Sequence, residues 1–410
     1  MKILLAVGVA VALVTATTPA QARHHHRPWQ AAWATAVHHP FPGWETPNWS
    51  AEGFAGQTLR QVVRVSTGGS TARIRLTNAY GTQPLRVAGA TIGKAASGAA
   101  VKPGTLRRLT FGRAASVTVP AGQGVASDAV ALPTRALESL TITLYFATPT
   151  GPATFHEGAL ATSYRAGGDR RFDTGAGAFG ETSSSWYFLA GVDTAGGPRP
   201  ARGVVVALGD SITDGYGTTP GANNRYPDEL AERLGRGVVN SGINGNKVLA
   251  DSPCFGASTV SRFDRDVLGQ PGARTVVVLA GINDIGAGGY PDFGCGASPV
   301  VTAEDVIAGY RRLIRAAHAA GLSIVGATIT PMKGAEGYFD ADKEKVRDAV
   351  NHWIRHSGEY DAVADLDRAL AQPGDPDALL PAYDSGDHLH PNDAGAAAMA
   401  TVVASAIARA

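Results

Sequence analysis

At Gly203 the pattern of the chain changes, and one kind of core cannot serve both sides of that change. Between Gln57 and Asp193 one face recurs at every second residue, as in Leu59, Gln61, Val63 and Val65, in Ile74 and Leu76, in Leu85 and Val87, in Val117 and Val119, and in Leu140, Ile142, Leu144 and Phe146. Turn clusters such as Thr67-Gly68-Gly69-Ser70, Ala79-Tyr80-Gly81-Thr82 and Pro120-Ala121-Gly122-Gln123-Gly124 separate these runs, and no helix-length periodic segment intervenes. Short strands with glycine-rich turns predict an all-β sandwich or jelly roll over 23–195. A linker rich in Gly and Pro follows at 196–203.

Past Gly203 apolar runs at 204–208, 238–239, 275–280, 323–329 and 362–366 alternate with helical patterns near 226–235, 258–268, 302–320, 340–356 and 393–409. That alternation predicts an α/β unit over 204–410, with a flavodoxin-like five-stranded parallel sheet in a three-layer arrangement. The third helix shows it best. Thr302 and Asp305 make a capping box, Val306, Tyr310, Leu313, Ile314 and Ala317 form one apolar stripe, and Gly321 closes the segment. Two units also suit a length of 410 residues.

Residues 1–22 combine a basic start, an apolar run from Ile3 to Val14 and the small-residue site Ala20-Gln21-Ala22, which predicts a secretory signal peptide and an extracellular, secreted product. No later stretch approaches about 18 consecutive apolar residues, so no transmembrane segment is expected. Lys and Arg number 36 against 35 Asp and Glu, and loss of Lys2 with the leader would leave a neutral chain, which gives no electrostatic reason to expect nucleic acid as a partner. Cys254 and Cys295 are the only cysteines, and in an exported chain they read as one disulfide bond rather than a metal pair. No metal or cofactor is expected. His24, His25 and His26 read as a solvated tail.

The first α/β run, Val204 to Leu208, has the β-branched content of a strand buried on both faces, and Gly209 ends it just before Ser211. A serine past the carboxyl end of such a strand sits on the rim where these sheets gather ligand-binding and catalytic groups. Three more polar clusters fall on the same rim: Asn240 to Asn246 after the second strand, Gly281-Ile282-Asn283-Asp284 after the third, and Asp387-His388-Leu389-His390-Pro391-Asn392 before the last helix.

In these blocks the sequence resembles the GDSL/SGNH hydrolase superfamily of esterases and lipases. Gly209-Asp210-Ser211-Ile212 corresponds to the first block with Ile in place of Leu, Gly245 to the second, Gly281-Ile282-Asn283-Asp284 to the third, and Asp387-His388-Leu389-His390-Pro391 to the fifth. The resemblance covers about 203–410. It implies a serine nucleophile at Ser211 and an oxyanion hole made by the backbone N–H groups of Ser211 and Gly245 and the side-chain amide of Asn283. Acyl-transfer chemistry suits His390 as base, since imidazole titrates near neutrality, and Asp387 three positions earlier as the group that orients it. His388 is the competing base, Asn392 reads as a helix cap, and Asp210, Asp214 and Asp284 read as supporting or turn residues. His156 and Tyr164 could reach the site from the β unit, although buried structural roles fit them better. No Gly-x-Ser-x-Gly occurs, which separates the chain from nucleophile-elbow lipases.

The expected function is therefore ester hydrolysis by a metal-independent serine hydrolase. The β module ahead of the α/β unit leans the substrate towards acyl or acetyl esters of carbohydrate or plant-derived polymers, with possible glycan binding by the β unit. Lipase or lysophospholipase activity is the alternative, disfavoured by a neutral chain without an amphipathic lid. A glycan-binding protein with a vestigial hydrolase unit is the alternative of another class.

Overall fold

The computed structural model describes residues 29–44, 47–197, 203–289 and 296–410. The expected signal peptide at 1–22 and residues 198–202 of the expected linker lie outside them.

The N-terminal part is a sandwich of two antiparallel sheets. One runs in the order Gln30–Ala34, Leu189–Ala195, Gly69–Thr77, Gly124–Ala126, with Val130–Thr134 also paired to the third of these. The other runs Glu181–Ser183, Ser163–Gly167, Gln57–Arg64, Ser139–Phe146, Gly89–Lys94, Arg107–Leu109. Leu59, Val63, Ile74, Leu76, Ile142, Leu144, Phe146 and Val192 share one core, as the two-residue period requires when alternate side chains point to one face. Gln61 occupies a core-facing position and is tolerated there because its amide is satisfied by the main chain of Tyr187, accepting from N at 2.7 Å and donating to O at 3.1 Å. The opposite face of the second sheet is covered as well. Arg60 lies buried under residues 170–179, with its guanidinium over the Phe179 ring at 3.9 Å and donating to the carbonyls of Ala99 and Asp173.

The strand Gln30–Ala34 carries no alternation because both of its faces are buried. Ala31 and Ala34 join the core of the α/β unit, whereas Ala32 and Trp33 join that of the sandwich. The two units therefore share a boundary strand.

The C-terminal part is a five-stranded parallel sheet. Its strands, in chain order Val204–Gly209, Val238–Gly242, Ala273–Leu279, Ser323–Ala327 and Ala362–Ala364, lie in the spatial order second, first, third, fourth, fifth. The strand order reverses beside the first strand, so the crevice at its carboxyl end is the switch point where such sheets bind ligands. The helices are α1 (Ser211–Asp214), α2 (Tyr226–Leu234), α3 (Thr259–Phe263, continued by a π-helical turn Asp264–Leu268), α4 (Ile282–Gly286), α5 (Ala303–Ala319), α6 (Ala341–His356), α7 (Leu366–Leu370) and α8 (Asp393–Ile407). The predicted capping box starts α5, and all five residues of its apolar stripe are buried. The one-turn helices α1 and α4 leave no periodic trace in the sequence, being shorter than the window in which a 3.6-residue period can be read. Among the described residues no helix is long and apolar enough to cross a membrane.

Polar contacts stitch the two units together. Ser66 Oγ accepts from Val238 N at 3.0 Å, covering the edge of the parallel sheet, and Ala31 N donates to Pro271 O at 2.8 Å. Arg265 donates to the Tyr80 hydroxyl at 2.7 Å and to Val37 O at 3.1 Å, and Arg75 donates to Gln270 Oε1 at 2.7 Å.

Candidate active site

Gly209 must lack a side chain for the first strand to end as it does: a Cβ there would lie 2.1 Å from Leu279 O and from Thr213 Oγ1. The chain then turns into α1, capped by the Asp210 carboxylate, which accepts from Ile212 N at 3.0 Å, and closed by Gly215 at φ +111°. Ser211 stands at the head of this single turn and is almost buried. Burial pushes the Asp210 carboxyl up to about 7, against the pull of the Ile212 N–H and with a contribution from the charge of Asp284.

The loop ahead of α8 brings the base to the serine. Ser211 Oγ is 2.8 Å from His390 Nε2, and His390 Nδ1 is 2.6 Å from Asp387 Oδ2. Asp387 Oδ1 accepts from His390 N at 2.8 Å, from Leu389 N at 3.0 Å and from Ser385 Oγ at 3.2 Å. Partial burial works to raise the Asp387 carboxyl, but the His390 hydrogen bond and charge, with the two backbone N–H groups, outweigh it and hold the group well below the usual carboxylate range. An ionised Asp387 can only accept, so Nδ1 of His390 carries the proton and a neutral ring turns a bare Nε2 to the serine hydroxyl. His388 is turned elsewhere, with Nδ1 2.6 Å from Asp384 Oδ2, and Asn392 caps α8 by accepting from Gly395 N.

Two further loops follow the strands on either side of the one that ends at Gly209. Asn283, on α4, is buried, and its amide is fixed from both ends: Nδ2 donates to Asn246 O at 3.0 Å and Oδ1 accepts from the Tyr338 hydroxyl at 2.8 Å. A carbonyl oxygen cannot donate, so the atom facing Asn246 O is the nitrogen. Gly245 has φ +69°, and a Cβ there would strike the Phe255 ring at 2.2 Å. Its glycine is thus demanded by backbone conformation and by the Phe255 ring packed against it. Asp284 supports the Gly245 loop rather than its own, accepting from Val248 N at 2.8 Å and Leu249 N at 3.1 Å, and burial pushes it up to about 6.

Several contributors carry no sequence signal. Arg262, fully buried on α3, donates to Gly209 O at 2.7 Å, Ser241 O at 2.7 Å and Asn246 Oδ1 at 3.1 Å, so one guanidinium ties the ends of the first two strands to the Gly245 loop. Tyr216 lies over His390 with ring centroids 4.6 Å apart. From the sandwich, His156 does reach towards the site, but to the last residue of α1. Its Nδ1 donates to Ala36 O at 2.8 Å and its Nε2 lies 3.1 Å from Asp214 Oδ1, outside hydrogen-bond geometry. Tyr164 stays in the sandwich, packed against Ala99, Ala166 and Phe179. Cys254 N donates to Ser252 Oγ at 3.3 Å, while Cys295, its expected partner, lies outside the described residues. Among the described residues no group of three or more His, Cys, Asp or Glu side chains is placed to hold a metal ion.

Comparison with known proteins places a model of the GDSL-like lipase/acylhydrolase family on residues 207–398. No curated protein matches the chain. Among solved structures, an acetylxylan esterase from Geobacillus stearothermophilus, solved as a catalytic mutant, is 23% identical, covers 51% of this chain and 95% of its own, and has a TM-score of 0.38. A GDSL-like lipase from Bacteroides thetaiotaomicron is 19% identical over 50% of this chain and 87% of its own, at a TM-score of 0.37. An α/β hydrolase from the metagenome of Lake Arreo is 22% identical over 51% of this chain and 97% of its own, at a TM-score of 0.38.

Proposed function

We propose that this chain, which carries a GDSL-like lipase/acylhydrolase domain at residues 207–398, hydrolyses carboxylic esters through an acyl-enzyme on Ser211. The observation that carries this reading is the unbroken chain of contacts from Ser211 Oγ through His390 to Asp387. His390 Nε2 takes the hydroxyl proton as Oγ attacks the acyl carbon, and Asp387 stabilises the imidazolium so formed. The backbone N–H groups of Ser211 and Gly245 and the second N–H of the Asn283 amide receive the oxyanion. His390 returns the proton to the departing alcohol, and water repeats the sequence on the acyl-enzyme to release the acid. The substrate class in this reading is an acyl or acetyl ester of a carbohydrate or plant-derived polymer.

The test is pH dependence. Asp387 is held below the usual carboxylate range, so the protonation that disables the proposed base is at His390 Nε2. Activity is expected to fall along a single limb as pH drops below neutrality. Asp210 and Asp284 are both raised into the same range, the first capping α1 and the second holding the Gly245 loop, and neither is hydrogen-bonded to His390, so the limb should persist in Asp210→Asn and in Asp284→Asn. Full activity well below pH 5, or inactivation by a chelator, would contradict His390 as base.

Export and a Cys254–Cys295 bridge belong to the same proposal, supported by the leader-like residues 1–22 and the count of two cysteines. A bridge would tie the loop after the second strand to that after the third, and closing a loop of this size stabilises by about 4 kcal/mol in the chain-entropy model. Reduction should therefore lower the melting temperature. Two reactive thiols in the unfolded, unreduced protein would refute the bridge.

A further inference from the structure

The half-exposed ring of Tyr216 stands on the side of the site from which the alcohol must leave, and we propose that it is the platform for a ring-bearing alcohol portion of the ester, a pyranose or an aryl group. The proposal rests on the serine-esterase reading above and deepens it.

Tyr216 is 49% exposed although its surroundings hold it tightly. Its N–H donates to Ser211 O at 3.0 Å, so it follows the nucleophile's own turn. The flanking glycines, Gly215 at φ +111° and Gly217 at φ +92°, let the chain pass close to its neighbours: a Cβ on the first would lie 2.1 Å from Arg225 Cγ, and on the second 2.9 Å from Pro391 O and 3.1 Å from His390 Cβ. Beyond them the loop is tied down at both units. The Asp393 carboxylate accepts from Thr219 N at 2.8 Å, Thr219 Oγ1 at 2.7 Å and Asn224 Nδ2 at 3.0 Å, and Gly221 N donates to Leu160 O of the sandwich at 2.8 Å. The main chain that carries the ring is thus held in place, and the ring lies against His390, inclined at 54° to it with centroids 4.6 Å apart.

The chemistry decides which part of the substrate meets it. In acylation the bond from Ser211 Oγ to the acyl carbon forms, the bond from that carbon to the alcohol oxygen breaks, and the proton taken by His390 Nε2 passes to the departing oxygen. That oxygen must come within hydrogen-bond reach of Nε2, which sets the first atoms of the alcohol beside His390 and hence beside Tyr216. A pyranose offers a face of C–H groups and an aryl alcohol a π face, and either gains from lying on an exposed phenol ring. A two-carbon alcohol covers little of it. The carbonyl oxygen, which in this reading turns to the Gly245 and Asn283 donors, does not share this contact.

The discriminating measurement is a ratio of kcat/KM values for substrates that share one acyl group. Acetylated methyl xyloside and phenyl acetate are each compared with ethyl acetate in the wild-type protein, Tyr216→Ala and Tyr216→Phe. In Tyr216→Ala the preference for at least one ring alcohol over ethyl acetate should fall about threefold to tenfold, and the arm that falls tells sugar from aryl. Tyr216→Phe, which keeps the face and loses the hydroxyl, should retain the wild-type ratios. Unchanged ratios in Tyr216→Ala, including an equal loss on all three esters, would overturn the proposal, as would a fall in Tyr216→Phe as large as in the alanine variant. Fluorophosphonate labelling of the wild-type serine separates the two levels: labelling with unchanged ratios sinks the platform alone, and absence of labelling sinks the serine reading beneath it.

Discussion

Replacing Ser211 with alanine is expected to remove ester turnover by about a millionfold, the scale on which serine hydrolases lose activity when the nucleophile is deleted, and to abolish fluorophosphonate labelling in the same step. The two losses belong together because one atom, Oγ, forms both covalent adducts. The substitution should leave the fold intact. Ser211 heads a turn whose cap is Asp210 and whose closing bond uses the Ser211 carbonyl, and neither contact involves the hydroxyl. The hydroxyl's own partner, His390 Nε2, stays held through Nδ1 by Asp387. Comparison of melting temperatures checks this. Retained turnover, or labelling that persists on another residue of the Ser211→Ala protein, would show that the contacts among Ser211, His390 and Asp387 are not the reacting centre.

Asn283→Ala is the second large effect, and it separates the oxyanion hole from the nucleophile. Turnover should fall about a hundredfold to a thousandfold, roughly 3 kcal/mol, if, as proposed, the amide donates to charge that develops only in the transition state. The Michaelis constant should hardly change. Labelling of Ser211 should slow and still reach completion. The amide also accepts from the part-buried Tyr338 hydroxyl and donates to the buried Asn246 O, so truncation removes this partner from both and some stability will be lost. Tyr338→Phe supplies the control, since it removes the orienting hydroxyl but leaves the amide nitrogen on Asn246 O. A much smaller loss of turnover is expected there. If Asn283→Ala instead raised the Michaelis constant strongly with turnover preserved, Asn283 would position substrate rather than hold the oxyanion.

The boundary between the units bears on how the site is kept. The sandwich reaches α1 through His156 and the buried Asp214 carboxylate, covers the edge of the parallel sheet with Ser66, and supplies Ala31 and Ala34 to the α/β core. The sandwich therefore packs against the turn bearing Ser211 and is part of the scaffold of the site.

What the sequence determined by itself is whatever depends on local periodicity and on short spacing. The two-residue period of Leu140 to Phe146 and the 3.6-residue stripe of α5 are set by where successive side chains point, so both elements and their buried faces could be read directly. Asp387 and His390 lie three residues apart in one loop, and their contact was legible for the same reason. Ser211 and Asn283 could be placed on the rim because each follows a buried strand, and the strand order then brings their loops together at the switch point. Only the tertiary structure decided the rest. Gln30–Ala34 has no alternation to read because two cores bury it from opposite sides, and Arg262 looks like any helical arginine until the end of the first strand and the second strand with its following loop converge on its guanidinium. His156 and Tyr216 acquire their places the same way, one by crossing between units and the other by lying against a histidine far along the chain. Such contacts are made by chain segments meeting in space, and a one-dimensional pattern holds no term for where distant segments meet.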